Sequence, residues 1–266
     1  MSILVGTAGY SYEDWIGPFY PDGTSKRDFL NFYARQFSLV EVNYTYYRMP
    51  NAHTLAAMAD RTGPDFQFII KANSAMTHER EASPGDFAQF ADALQPLQQA
   101  GKLGCVLAQF PYSFHANSVN VDYLRRFREL MPALPVVIEF RNRQWITQKT
   151  FEFLRGLDFG FCCVDQPRFD SLVPPVAEVT SDIAYLRFHG RNYDKWFKHD
   201  EAWERYDYLY SEAELGEWIE KVADMAQQAE TVYVVFNNHY QGQAVQNALQ
   251  FTEMLQTAGL PVVLSS

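Results

Sequence analysis

Eight short apolar runs alternate with amphipathic stretches along this chain, and that alternation limits the fold more than any other feature. The runs span 3–7, 39–43, 66–71, 104–109, 135–140, 160–165, 183–189 and 231–237 and are rich in Val, Ile, Phe and Tyr, the composition of strands. Between them the spacing predicts helices. Phe29, Tyr33 and Phe37 recur every four residues and predict a helix over 25–37. Ser83-Pro84-Gly85-Asp86 reads as an N-cap, a first-turn proline and a third-position acid, opening a helix that closes at Gly101. Asn120 is placed to cap 121–131 and Thr147 to cap 148–156. Ser211 with Glu214 makes a capping box for 212–229, and a last helix runs from about 243 to Gly259. Strands alternating with helices imply βαβ units and a parallel sheet. Eight such units in 266 residues favour one closed (β/α)₈, TIM-like barrel over the whole of 1–266. No Gly-x-Gly-x-x-Gly follows the first strand, which speaks against a dinucleotide-binding sheet. The tail Pro261–Ser266 is strand-like but has no place in an eight-strand count.

Composition excludes several classes. The formal net charge of −10 opposes binding of extended nucleic acid, whose phosphates call for a basic surface. A local basic pocket for one anionic group remains open. The three cysteines, Cys105, Cys162 and Cys163, lie in apolar strand-like runs with no C-x-x-C and no zinc-ligand spacing, and read as reduced buried thiols. Cys162 and Cys163 are neighbours on a strand and point to opposite faces. The chain opens directly into Ser2-Ile3-Leu4-Val5-Gly6, with no basic or apolar leader, and no apolar run reaches the ~18 residues of a membrane span. A cytoplasmic protein without a membrane partner is expected, of open oligomeric state.

Side chains of a strand alternate between faces, and in a barrel one face points into the lumen. One choice of parity puts polar residues inward at the C-terminal end of every strand: Thr7, Glu41 and Asn43, Lys71, Gln109, Glu139 and Arg141, Asp165, Arg187 and His189, and Asn237. That choice turns Val42, Ile70, Phe140, Val164, Phe188 and Phe236 toward the helices. The lower inward positions are then Val5, Ile69, Leu107, Val137, Phe161 and Val235. A lumen apolar below and polar above is the layout of a barrel with its site at the C-terminal mouth. The ring sets Glu41, Glu139 and Asp165 against Lys71, Arg141 and Arg187. Mutual neutralisation is the structural alternative, but buried ion pairs are weak evidence for stability, so a ligand is the better reason for charges gathered there.

These residues resemble a known family. Gly6-Thr7-Ala8-Gly9-Tyr10 followed by Trp15 and Gly17-Pro18-Phe19-Tyr20-Pro21 is similar to the opening of the YecE-like family, domain of unknown function family 72. So are Val40-Glu41-Val42-Asn43-Tyr44-Thr45-Tyr46-Tyr47, Lys71 with Thr77-His78, and Glu139-Phe140-Arg141 with Trp145. Arg187-Phe188-His189-Gly190 and Phe236-Asn237-Asn238-His239 with Gly242, Ala244 and Asn247 continue it to the last helix. Ala8 and Tyr44 stand where serine is commoner in the family. The resemblance implies a TIM-like barrel and implies no activity.

Three constellations could carry chemistry. Asn237-Asn238-His239 leading through Gly242 into the last helix, with Arg187 beside it, suits an anion at a helix start. Glu41, Glu139, Asp165, His78 and His189 are candidate catalytic residues for proton transfer, and their mixture also suits a divalent metal. No cofactor motif is evident. Two carboxylates with aromatic loops fit glycoside hydrolysis, but the common barrel glycosidases place their acids after strands 4 and 7, where Gln109 and Arg187 stand. Loops 8–24 and 190–210 carry many aromatics and could cover the mouth.

The reading that follows is an enzyme, hydrolase or lyase/isomerase in type, acting on a small anionic, phosphorylated polar ligand. Arg187, Lys71 and the strand-8 loop with Asn237, Asn238 and Gly242 hold the anion. Thr7, Tyr10, Trp15, Asn43, Gln109 and Arg141 complete the ligand site. Glu139 or Glu41 is the base or acid, and His78 or His189 the shuttle. The alternatives are a metal-dependent phosphoester hydrolase, nucleic acid among its substrates, and a non-catalytic small-ligand-binding module.

Overall fold

The computed structural model describes residues 1–132 and 134–265. Eight parallel strands close into a barrel in sequence order. They are β1 (Ser2–Ala8), β2 (Leu39–Val42), β3 (Gln67–Lys71), β4 (Leu103–Gln109), β5 (Val136–Glu139), β6 (Phe159–Asp165), β7 (Ile183–Phe188) and β8 (Thr231–Phe236). Each begins and ends within a residue or so of its apolar run. The helices are α1 (Phe29–Tyr33), α2 (Tyr44–Tyr47), α3 (Ala52–Ala59), α4 (Ser74–Thr77), α5 (Pro84–Gln99), α6 (Ser118–Leu130), α7 (Gln148–Gly156), α8 (Glu212–Gly216), α9 (Ile219–Gln228) and α10 (Gln243–Thr257). Among the described residues no helix is long and apolar enough to cross a membrane.

The capping signals at Ser83, Thr147 and Ser211 are realised as read, with Ser83 and Ser211 in full capping boxes. Three helix expectations are corrected. Of 25–37 only Phe29–Tyr33 is α-helical, because Arg35 N–H and Gln36 N–H bond three residues back, to Phe32 and Tyr33, and tighten the chain into turns. Phe29, Tyr33 and Phe37 are buried all the same. The cap of α6 is Asn117, which accepts from the Asn120 N–H, so the helix starts three residues earlier than expected. The 212–229 helix breaks between α8 and α9, and the break buries Trp218. The tail is no ninth strand. Val262 bridges Ile3, Val263 N–H donates to Ile3 O, and Ser38 Oγ bonds Val263 O, so the tail straps the start of β1. Ser266 falls outside the described residues.

Register fixes which side chains share the lumen, since paired residues of parallel strands lie on one face. One layer is Gly6, Val235, Arg187 and Val164, and another is Ala8, Glu41, Ile69 and Cys105. Lys71, Leu107, Val137 and Gly160 form a third, and Gln109 pairs Glu139. The expected parity therefore holds on six strands and is reversed on β1 and β6. On β1 the outward residues are Val5 and Thr7. The inward Gly6 is demanded by close approach of β2, since a Cβ there would stand 2.2 Å from Leu39 O. On β6, Phe161 and Asp165 face outward while Cys162 and Val164 face inward. Phe161 packs on Phe151 of α7, and the Cys162 thiol faces Glu139. The run 159–164 is apolar on both faces, as strands buried on both sides are, so its pattern carries no mark of which side is inward.

Candidate active site

Arg187 is the centre of the mouth. It is 2% exposed and braces two buried carboxylates: Nε and one terminal nitrogen donate to Glu41 at 3.0 and 2.6 Å, and the other donates to Glu139 at 2.9 Å. Tyr185, two residues back on the same inward row, donates to Glu41 at 2.7 Å. Glu139 also accepts from Arg141 Nε at 2.8 Å and from His189 Nε2 at 3.1 Å. Burial alone would raise Glu139, but Arg141, Arg187 and His189 outweigh it and keep its carboxyl well below the usual range. Burial works against the charge of Arg187 too, and the two carboxylates reverse this and push it well above its ordinary value. His189 is driven down to about 3, first by burial and then by Arg141, so its ring is neutral at pH 7. Asn237 Nδ2 lies 3.1 Å from its Nδ1, which makes Nδ1 the acceptor and Nε2 the donor toward Glu139.

Above this layer opens a cleft of two chambers, about 370 and 300 Å³, that share Tyr46, Lys71, Gln109, Arg141 and Tyr206. Neither carboxylate lines these chambers, but Lys71, Arg141, Arg187 and Arg205 do. Lys71 Nζ donates to Gln109 Oε1 at 3.1 Å and lies 4.7 Å from the Tyr46 ring centre. Burial, and then Arg187, bring it down to about 8. His78 is lowered to about 4 by burial and by Lys71, Arg141 and Arg80, and its ring meets Tyr46 edge-on. Segment 190–210 supplies the roof through Trp196, Phe197, Arg205 and Tyr206. Segment 8–24 is instead a wall. Phe19 and Tyr20 pack on Phe29, Phe32 and Tyr33, Trp15 packs on Phe19 and Tyr20, and of this segment Tyr12 lines the second chamber, stacked on His239 at 4.7 Å.

Most of the expected residues converge here: Glu41, Asn43, Lys71, His78, Gln109, Glu139, Arg141, Arg187, His189 and Asn237. Asn43 Oδ1 is buried without a partner beside the second chamber. Tyr10 lines a separate hollow of about 210 Å³ with Asn43 and Tyr12. Five residues lie elsewhere. Asp165 points out of the lumen, where Arg191 clasps it with two bonds of 2.8 and 2.7 Å and Tyr210 and Trp218 each donate at 2.8 Å. The hydroxyl of Thr7 bonds Tyr33 Oη of α1. Trp15 is fully buried, with its indole N–H on His239 O. Asn238 ties Tyr208 O to Asn247 in the helix layer. In the turn before α10 the Asp14 carboxylate takes the Gln241 N–H at 2.7 Å, and a Cβ on Gly242 would meet Pro18 at 3.2 Å. Asn238 and Gly242 line neither chamber.

Removing Asp165 changes the balance of the ring. Three cations, Lys71, Arg141 and Arg187, now face two carboxylates, an excess of one positive charge that Arg205 raises to two. The carboxylates are both occupied by guanidinium groups. Among the described residues no three His, Cys, Asp or Glu side chains gather to hold a metal ion, so the donor set does not fit a resident metal. Sequence reasoning did not name Tyr185 or Tyr46 as site residues, and it placed Trp196, Arg205 and Tyr206 on the covering segment 190–210 without saying which of its side chains face the mouth. Strand-7 parity marks Tyr185 as inward; the roof residues lie on an irregular loop with no periodicity to place them.

Comparison with known proteins places this geometry in a family. A family model described as "Protein of unknown function DUF72" matches residues 4–265. UPF0759 protein YunF of Bacillus subtilis (strain 168) is 34% identical over 269 residues, spanning 95% of this chain and 94% of its own length. A crystal structure of a DUF72 family protein from Thermotoga maritima MSB8 superposes with a TM-score of 0.89 at 41% identity, covering 96% of this chain and 100% of that one. One from Enterococcus faecalis V583 gives 0.86 at 30% identity, covering 96% and 95%.

Proposed function

The chain belongs to the DUF72 family, and from that premise we propose that the mouth of its barrel binds a small anionic, phosphorylated polar ligand and acts on it by acid–base chemistry. The observation that supports this most is the excess of positive charge on the cleft surface, with both carboxylates turned away beneath it. Arg141 uses Nε for Glu139 and one terminal N–H for Gln166, at 3.3 Å, which leaves N–H groups for an anion. Arg205 offers a second guanidinium from the roof, and its buried Nε has no partner. Aromatic walls from Tyr46, Trp196 and Tyr206 suit a ring or a planar group beside the anion.

Within this reading the proton-transfer group is Lys71. It titrates near the working pH, where acid–base catalysis is most effective, and it faces the chamber. Neutral His78 in the same chamber can accept a proton. Glu41 and Glu139 are clamps that fix the guanidinium groups, and His189 is a neutral donor that steadies Glu139. These three position the site rather than react.

A thermal-shift panel of phosphorylated metabolites, nucleotides, neutral sugars and divalent metals tests the proposal. A phosphorylated compound at 100 times its dissociation constant is expected to stabilise by about 2.7 kcal/mol, raising Tm by about 5 °C or more. Arg141→Gln, measured against its own baseline at the same ligand concentration, is expected to keep only about 1.4 kcal/mol of that gain. Stabilisation by metals or neutral sugars alone would overturn the anion reading.

A further inference from the structure

We infer that the Lys71 amine is a nucleophile that forms an imine with an aldehyde or ketone whose other end carries an anionic group; this deepens the anion-binding reading above and rests on it.

The argument starts from how the charges of the mouth are shared out. Two carboxylates are available, and guanidinium groups take both: Arg187 bonds Glu41 and Glu139, and Arg141 bonds Glu139. Among the described residues Lys71 enters no ion pair, and its one hydrogen bond is to the neutral amide of Gln109 at 3.1 Å. An arginine in such a ring cannot give up its proton, whereas a lysine can. The site therefore keeps permanent cations for anchoring and leaves the one dissociable cation without a counterion. The effect on the amine is large. At pH 7 a group lowered to about 8 holds about three hundred times more neutral amine than one at the ordinary 10.5.

No other lysine shares this setting. Lys26 and Lys195 are exposed in ion pairs with Glu13 and Glu204. Lys102 donates to the carbonyls of Ala59 and Thr62. Lys221 lies over the Trp218 ring in the helix layer. Lys71 is the lysine that lines both chambers, and both also contain Arg141. A ligand anchored by its anion on Arg141 and Arg205 would bring a carbonyl toward the amine, the proximity a covalent step needs.

The step balances without an added oxidant or reductant. The Nζ lone pair attacks the carbonyl carbon, a C–N bond forms, and the π pair moves to oxygen. A proton passes from the nitrogen to that oxygen and gives a neutral carbinolamine. A proton from solvent on its hydroxyl releases water as the nitrogen lone pair closes the C=N bond. The iminium so formed is an electron sink for proton removal or bond cleavage at the neighbouring carbon.

Pyridoxal 5′-phosphate, an aldehyde carrying a phosphate on a flat ring, is the probe. The intact protein is incubated with it, reduced with borohydride and mapped by peptide mass. The expected result is one adduct per chain, on Lys71, formed at least tenfold faster than on Lys149 or Lys198. Its rate should rise with pH through a midpoint near 8 and fall on adding inorganic phosphate. Lys71→Arg is expected to abolish the adduct. Label spread over exposed lysines with Lys71 unmodified overturns the imine. If phosphate still stabilises the protein in that case, the anion site stands alone; if it does not, both readings fall.

Discussion

Arg187→Met is expected to lower stability by about 3–5 kcal/mol, the loss that follows when one partner of a buried pair is removed. At 2–4 °C per kcal/mol that is a fall in Tm of about 10 °C. The arginine neutralises two carboxylates at once, each fully buried. The variant should also carry a pH signature. In the native protein Glu139 is held below its ordinary range, so the stability it contributes is present above the unfolded-state value of about 4.3 and is lost only as pH falls through the depressed folded value. Without Arg187 the desolvation that raises a carboxyl is no longer fully opposed. Glu139 would then gain by protonation, and the variant would recover as pH falls from 8 to 5 while the native protein changes little. Urea denaturation of both proteins across that range checks this. A difference below about 1 kcal/mol, or one independent of pH, would show that the brace is not what neutralises the mouth.

Asp165→Ala is expected to act through the roof and not through the lumen. Four hydrogen bonds converge on this carboxylate from Arg191, Tyr210 and Trp218, and they tie β6 to the start of segment 190–210 and to the break between α8 and α9. Arg191 keeps Glu217 at 3.0 Å, so its charge is not wholly abandoned. A loss of about 3 kcal/mol is expected for a broken buried pair with two further donors orphaned, with faster amide exchange across 190–210 and weakened anion binding. Denaturation and hydrogen exchange together decide the matter. Unchanged stability and unchanged exchange would return Asp165 to the site.

The architecture was legible because it follows from period and punctuation. Eight apolar runs with capping signals between them leave few alternatives to a closed barrel, and even the strand ends fall where the runs end. The site was legible where strands alternate. Glu41 beside Val40 and Val42, Lys71 after Ile69 and Ile70, and Arg187 between Leu186 and Phe188 each declare a face. It was illegible at β1 and β6. There the assumption that a terminal polar residue points inward replaced a pattern that both-face burial had erased, and it carried Thr7 and Asp165 into the lumen. That error also disguised the electrostatics, since an acid counted into the ring made it neutral. The strand-8 loop misled for a different reason. Its helix start looks continuous with the mouth in sequence, and only the fold brings Asp14, 227 residues away, onto the Gln241 N–H just before the helix. The roof residues Trp196, Arg205 and Tyr206 sit on irregular chain, where contacts are set by tertiary packing and no spacing announces them.

The central claim is that this mouth is a cationic site for an anionic ligand, and calorimetric titration with inorganic phosphate across pH 6 to 10 tests it most directly. The native protein should bind, with affinity falling as pH rises through about 8 and Lys71 loses its charge. Arg141→Gln should bind about tenfold more weakly, the equivalent of 1.4 kcal/mol. No binding at any pH, or equal binding by the two proteins with no dependence on pH, would contradict the account.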